Sequence, residues 1–102
     1  MKNILKWDIC QVGLIMRVPM TKSIHTREQQ CFQDLLRKMR GEAGLTQQVL
    51  AQRLRLPQSF VSKYESGERM LDVMELRCVC KALAVGLPEF AERLEKEISH
   101  AS

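Results

Sequence analysis

Residues 45–69 read LTQQVLAQRLRLPQSFVSKYESGER, and the pattern in this stretch decides the fold. Leu50, Ala51 and Leu54 share one face of a first helical period, and Val61 and Tyr64 share one face of a second. Between the two stands Arg55-Leu56-Pro57, which leaves room only for a tight corner. Two short helices locked across such a corner form a helix-turn-helix, in which the second helix is offered outward to the DNA major groove.

The helical periodicity continues on both sides. Thr26, followed by Glu28, Gln29 and Gln30, reads as a helix start, and Phe32, Leu35, Leu36 and Met39 then repeat as one amphipathic stripe. Gly41 weakens the end of this helix and Gly44 stops it with a left-handed cap. Thr46 caps the next helix, with Gln47 and Gln48 in its first turn. Pro57 opens the third helix, where its missing N–H has no partner to lose, and Gly67 ends it. Asp72 caps a fourth, whose buried face is Val73, Leu76, Val79, Cys80 and Leu83. Gly86 breaks the chain again, and Leu87, Phe90, Leu94 and Ile98 make a fifth stripe. No strand-like alternation, internal repeat or low-complexity tract follows residue 26. The reading is all-α: a helix-turn-helix domain of five short helices over residues 27–98, preceded by a poorly structured N-terminal extension, residues 1–26.

Within that extension Trp7, Ile9 and Val12 suit a short strand, an adhesive arm or a disordered leader, and Pro19, Thr21 and Ser23 read as a linker. Met16 and Met20 can both serve as alternative starts. A basic arm reaching along DNA is a further use for such a segment. Lys6 and Asp8 interrupt the apolar run of MKNILKWDICQVGLIM and no small-residue cleavage site follows, which argues against a signal peptide. No stretch approaches the roughly 20 apolar residues of a membrane span. The expectation is a soluble, cytoplasmic protein with no membrane partner.

A chain of 102 residues is one domain's worth, with a formal charge of +4 and a pI of about 9.1. The distribution of that charge says more than its sum. Residues 1–26 carry four Lys/Arg and one acid, residues 27–70 eight against five, and residues 71–102 four against six. A basic front and an acidic tail suit a protein that lays one side on a polyanion. The four cysteines are Cys10, Cys31, Cys78 and Cys80. On a helix the side chains of Cys78 and Cys80 diverge by about 200° and cannot share a zinc ion. No Cys-x-x-Cys pair exists, and His25 and His100 stand alone. We therefore expect reduced, mostly buried thiols, no metal and no cofactor. With no Gly-rich phosphate loop and no partnered carboxylates, an enzyme is not expected either.

Residues 32–90 resemble the Xre family, the Cro and phage-repressor type of helix-turn-helix domain. The resemblance rests on LLRKMRGEAGLTQ at 35–47, LAQRL at 50–54, FVSKYESGER at 60–69 and KALAVGLPEF at 81–90. Its specific marks are the GLTQ start, the Ala inside the first helix of the motif and the Glu-x-Gly-x-Arg exit. It implies a five-helix lambda-repressor-like fold that binds double-stranded DNA as a homodimer, on an inverted repeat with half-sites about one helical turn apart. A repressor or autoregulator is the implied role, governed by abundance or by a protein partner.

The resemblance also carries over position by position. Ala51 lies where the two motif helices cross, and Gln47 resembles the glutamine that bonds a phosphate while bracing the recognition helix. Gln58, Ser59, Ser62 and Lys63 fall on the outward face, opposite Val61 and Tyr64. Gln can pair bidentately with adenine, and Lys with guanine or a phosphate. Ser66, near the helix end, is a weaker candidate for a phosphate. Arg40 and Glu65 match a partly buried salt bridge that fixes orientation more dependably than it stabilises. Two positions depart from the pattern. Arg55 replaces the usual corner Gly, where a left-handed backbone costs roughly 1 kcal/mol, and its charge is a candidate for the DNA backbone. Pro57 replaces a Ser or Thr cap.

Phe90, Leu94 and Ile98 of the fifth helix are the expected dimer contact, with part of the same stripe packing on the domain's own core. The alternative is a protein-interaction module or antitoxin-like partner on the same scaffold. The third-helix face argues against it, because it holds no acid and only Phe60 as a nearby apolar group.

Overall fold

The computed structural model describes residues 22–101, with side chains from residue 27 to residue 100. The elements are α1 (Lys22–Glu42), α2 (Gln47–Leu54), α3 (Gln58–Ser66), α4 (Val73–Ala82) and α5 (Leu87–Ala101). The all-α, five-helix expectation holds, with no strand among the described residues. The arm, leader and alternative starts read from residues 1–21 lie outside the described residues. One boundary is corrected: α1 is already helical at Lys22, upstream of Thr26, so Ser23 belongs to the helix and not to a linker. The stretch KSIHTREQQ holds neither Pro nor Gly, and nothing in it halts the helix.

Every helix contributes to one core. It consists of Leu35, Leu36 and Met39 from α1, Leu50 and Ala51 from α2, Val61 and Tyr64 from α3, Val79 and Cys80 with Leu83 at the end of α4, and Phe90 from α5. Phe32 meets Phe90 edge to face, with centroids 5.8 Å apart, which anchors α5 on α1. Arg93 adds a two-pronged contact to Glu42 at 3.1 and 3.2 Å.

One expected burial and one expected contact are corrected. Val73 is 66 % exposed, because the first turn of α4 runs past the edge of the core. Phe90 is 1 % exposed and so cannot be part of a dimer contact. Cysteine burial is also narrower than expected. Cys80 is buried, Cys31 is half-buried and Cys78 is exposed, all three as free thiols. Burial pushes the Cys80 thiol up to about 11. No helix among the described residues is long and apolar enough to cross a membrane.

Three helix ends share one device. Gly44 (φ 73°), Arg55 (φ 59°) and Ala84 (φ 61°) are left-handed. In each case the next residue's N–H reaches back five residues, the 6→1 bond of a Schellman cap: Leu45 to the Arg40 carbonyl at 3.1 Å, Leu56 to Ala51 at 3.0 Å and Val85 to Cys80 at 2.9 Å. Gly44 was legible as such a cap. The break after α4 falls on Ala84, however, and not on Gly86.

Candidate nucleic-acid interface

Thr46 sets the direction of α2 by accepting the Val49 N–H at 3.1 Å. The chain then turns at Arg55, whose left-handed backbone (φ 59°, ψ 41°) is the one the corner requires. The corner therefore keeps its geometry and Arg55 bears the strain. Pro57 (φ −64°, ψ 152°) is extended and stands just outside α3, so the helix opens at Gln58 and has no side-chain cap. Leu50, Ala51 and Val61 are all buried, and the small Ala51 allows α2 and α3 to pack closely.

Behind α3 the buried carboxylate of Glu65, 1 % exposed, organises the site. Arg40 approaches it with Nε at 2.7 Å from Oε2 and Nη2 at 3.0 Å from Oε1. Its Nη1 donates to the Leu45 carbonyl at 3.0 Å, which ties the pair to the start of α2. Gln47 donates through Nε2 to Glu65 Oε1 at 3.0 Å, and Gln58 donates through Nε2 to Gln47 Oε1 at 3.1 Å. A continuous relay thus runs from Arg40 on α1 to Gln58 at the tip of α3. Fork-on-fork pairing with a desolvated carboxylate favours the charged guanidinium, and the hydrogen bond to Glu65 raises Arg40 above its ordinary value. Burial likewise raises the Tyr64 phenol, which stays neutral.

Gln58, Ser59 and Lys63 are exposed and Ser62 is partly exposed on the outer side of α3. The relay uses one N–H of the Gln58 amide. Its second N–H and its oxygen are the donor and acceptor that a bidentate partner needs. Ser66 differs from the others: its hydroxyl lies 3.1 Å from the Lys63 carbonyl and 3.2 Å from the Glu68 carboxylate, within its own chain.

Two further arginines act at this site, Arg37, which was not singled out from the sequence, and Arg69, which was read only as the last residue of the Glu-x-Gly-x-Arg exit. Arg37 donates through Nη2 to the Glu65 carbonyl at 3.1 Å, and its Nε lies 3.9 Å from the carboxylate. The signal was its position one turn before Arg40 on the same helix face. Arg69 closes the other end of α3. Its guanidinium sits 4.7 Å from the centre of the Phe60 ring and grips Glu75 at 2.9 and 2.6 Å. Phe60 in turn packs edge to face on Tyr64 at 5.6 Å. The reading helix is braced from α1, α2 and α4, and its polar side is left outward.

The helix-turn-helix domain family matches residues 33–93. Among solved structures, the chain is similar to an XRE-family-like protein from Pseudomonas syringae pv. tomato str. DC3000. The two are 44 % identical with a TM-score of 0.69, covering 74 % of this chain and 92 % of that one. It is also similar to the wild-type restriction-modification controller protein C.Esp1396I, 32 % identical with a TM-score of 0.67, covering 72 % of this chain and 95 % of that one. No curated protein matches the chain.

Proposed function

The chain belongs to the Xre family of helix-turn-helix proteins and is a DNA-binding transcriptional regulator, and from that premise we propose that it reads an inverted repeat as a homodimer and acts as a repressor or autoregulator in the cytoplasm. What carries the reading is the outward face of α3, polar and cationic at Gln58, Ser59, Ser62 and Lys63 and held from behind by Gln47, Glu65 and Arg40. In this reading Gln58 pairs with a base edge and Ser59 and Ser62 lie against neighbouring bases. Lys63 takes guanine or a phosphate, and Gln47 takes a phosphate at the start of α2. Ser66 is the outermost phosphate candidate. The domain reads and performs no chemistry, and the likeness to a restriction-modification controller protein fits a regulatory role.

One domain makes few base contacts, and pairing two multiplies affinity when both half-sites engage together. With Phe90 withdrawn, the α5 residues left for a partner copy are Leu94 and Ile98, both half-buried. An adaptor or antitoxin-like role would call for an apolar or acidic α3 face, which Lys63 and the glutamine do not provide.

The test is selection from randomised duplex DNA at about 0.15 M salt, followed by sequencing of what stays bound. Enrichment of an inverted repeat with half-site centres about 34 Å apart supports the dimeric reader. An enriched single half-site removes the dimer from the proposal. Weak, salt-sensitive binding without enrichment removes sequence reading altogether.

A further inference from the structure

Arg55 stands where the family pattern has a corner glycine, and the brace around α3 makes no use of its side chain. Its backbone is left-handed, φ 59° and ψ 41°, and is fixed on both sides. The Arg55 N–H donates to the Gln52 carbonyl at 3.1 Å, the Leu56 N–H donates to the Ala51 carbonyl at 3.0 Å, and Pro57 restrains the chain beyond. Strain alone singles out nothing, because Ala84 shares it at φ 61°. The side chain is what differs. It is exposed and makes no hydrogen bond or ion pair with any described residue. We propose that Arg55 holds a phosphate of the DNA backbone beside the N-terminal end of α3, a contact that a glycine at the corner has no side chain to make. The inference rests on α3 being the helix that reads DNA.

Three observations carry it. The first is placement. In a helix-turn-helix the first helix crosses the DNA backbone, and the N-terminal residues of the second reach the base edges. Arg55-Leu56-Pro57 joins α2 to α3, so the chain passes from backbone to groove at this corner, just before Gln58. The second is charge. Residues 43–64 hold Arg53, Arg55 and Lys63 and no acid, so no neighbouring carboxylate in the sequence neutralises a cation at the corner. The third is availability. Arg37, Arg40, Arg53, Arg69 and Arg93 all donate to carbonyls or carboxylates of the chain. Arg53 is turned toward α4 by its bond to the Ala82 carbonyl at 3.2 Å. Of the arginines left among the described residues, Arg27 and Arg77 belong to α1 and α4, and Arg55 alone stands next to α3. Its planar fork, with every side-chain N–H unspent, matches the oxygens of a phosphate.

The test is binding to a duplex selected by the unmodified chain, measured over a series of salt concentrations for that chain and for Arg55→Gly, Arg55→Asn and Arg55→Lys. Glycine and asparagine both accept the left-handed backbone, and both remove the charge. Each should bind about tenfold more weakly per half-site, with the salt slope reduced by about one for each Arg55 removed. Thermal unfolding should show no loss of stability in either. Base preference should be unchanged, because a phosphate carries no sequence information. Arg55→Lys keeps the charge and should retain most of the slope. Affinity that falls while stability holds or rises is an outcome that a purely structural Arg55 does not produce. Undiminished affinity and slope in Arg55→Gly and Arg55→Asn overturn the proposal. So does a loss in Arg55→Lys as large as in the two neutral variants, or a changed preference at one base position. If the unmodified chain binds no duplex, DNA reading itself fails and this contact with it. Binding that the variants leave untouched removes the contact alone.

Discussion

Arg40→Ala tests whether the Glu65 clamp orients the reading helix or merely stabilises the domain. The substitution leaves a carboxylate that is 2 % exposed without its guanidinium, of which only 18 % is exposed in the intact pair. Removing one partner of a buried pair costs about 3–5 kcal/mol, because the remaining charge stays desolvated. A domain of this size has about 4–12 kcal/mol of stability in all, at roughly 0.05–0.15 kcal/mol per residue. The loss is therefore a large share of the total, and urea unfolding followed by circular dichroism reads it as a lower midpoint at unchanged slope. DNA affinity must then be measured at a temperature where the variant is folded. The informative comparison is the apolar double variant, Arg40→Met with Glu65→Leu. Replacing a buried pair by packed apolar groups is often neutral, so stability should return. Gln47 would still have lost its acceptor and Gln58 its brace, so affinity should stay low. A loss below about 1 kcal/mol for Arg40→Ala refutes the burial argument. Recovery of both stability and affinity in the double variant refutes the orienting role.

Five further outcomes follow from the same geometry. Arg55→Gly should stabilise the domain by about 1 kcal/mol, measured by thermal unfolding, because the corner already holds a left-handed backbone at φ 59°. Gly67→Ala should destabilise by about 1–3 kcal/mol, since at φ +90° the added Cβ would come 2.5 Å from Nε2 of the buried Gln33. The Cys80 thiol is raised on folding from its ordinary 9.0 to about 11, so its contribution is fully present below pH 9.0 and is lost as pH rises toward 11. Denaturation curves across that window should show the decline, and Cys80→Ala should remove the part that Tyr64 does not supply. On operator DNA, Lys63→Ala should reduce the salt slope by about one if Lys63 touches a phosphate, and Gln58→Ala should relax preference at one base position by about 1–3 kcal/mol. An unchanged preference removes Gln58 from the reading set.

The helices were legible because local chemistry announces them. Thr46 and Asp72 precede their helices with acceptors in place, and Asp72 and Glu75 complete a reciprocal capping box at 2.7 and 3.0 Å. The misreadings came where tertiary packing overrides local preference. Ala84 takes a backbone that favours glycine because Val85 and Cys80 close the cap behind it, whereas Gly86 two residues later looked like the natural break. Val73 has the periodicity of a buried residue but stands at a helix end with nothing packed over it. Phe90 was read as part of the dimer contact because its stripe is continuous with Leu94 and Ile98. Periodicity gives the face of a helix but not the depth at which each residue on it sits.

For the interface, the outward row of Gln58, Ser59, Ser62 and Lys63 was legible, and the family resemblance supplied the Arg40–Glu65 pair and the bracing glutamine Gln47, but not the bonds that join Gln47 to Glu65 and to Gln58. The relay joins residues far apart in sequence: Arg40 to Glu65, Glu65 to Gln47, and Gln47 to Gln58. Its physical consequence lies in entropy. A free glutamine side chain loses about 1.5–2 kcal/mol of rotamer freedom when it is fixed on a base. Gln58 has part of that ordering done in advance, by a bond to a residue that is itself fixed on a buried carboxylate. Lys63, with no such brace, must order its whole side chain on contact. The two residues should therefore differ in kind as well as in strength. In the proposed reading Gln58 is suited to discriminate between bases, while Lys63, where it meets a phosphate, supplies attraction that varies little with sequence. A sequence-only reading gave them equal standing because both are polar and both face outward.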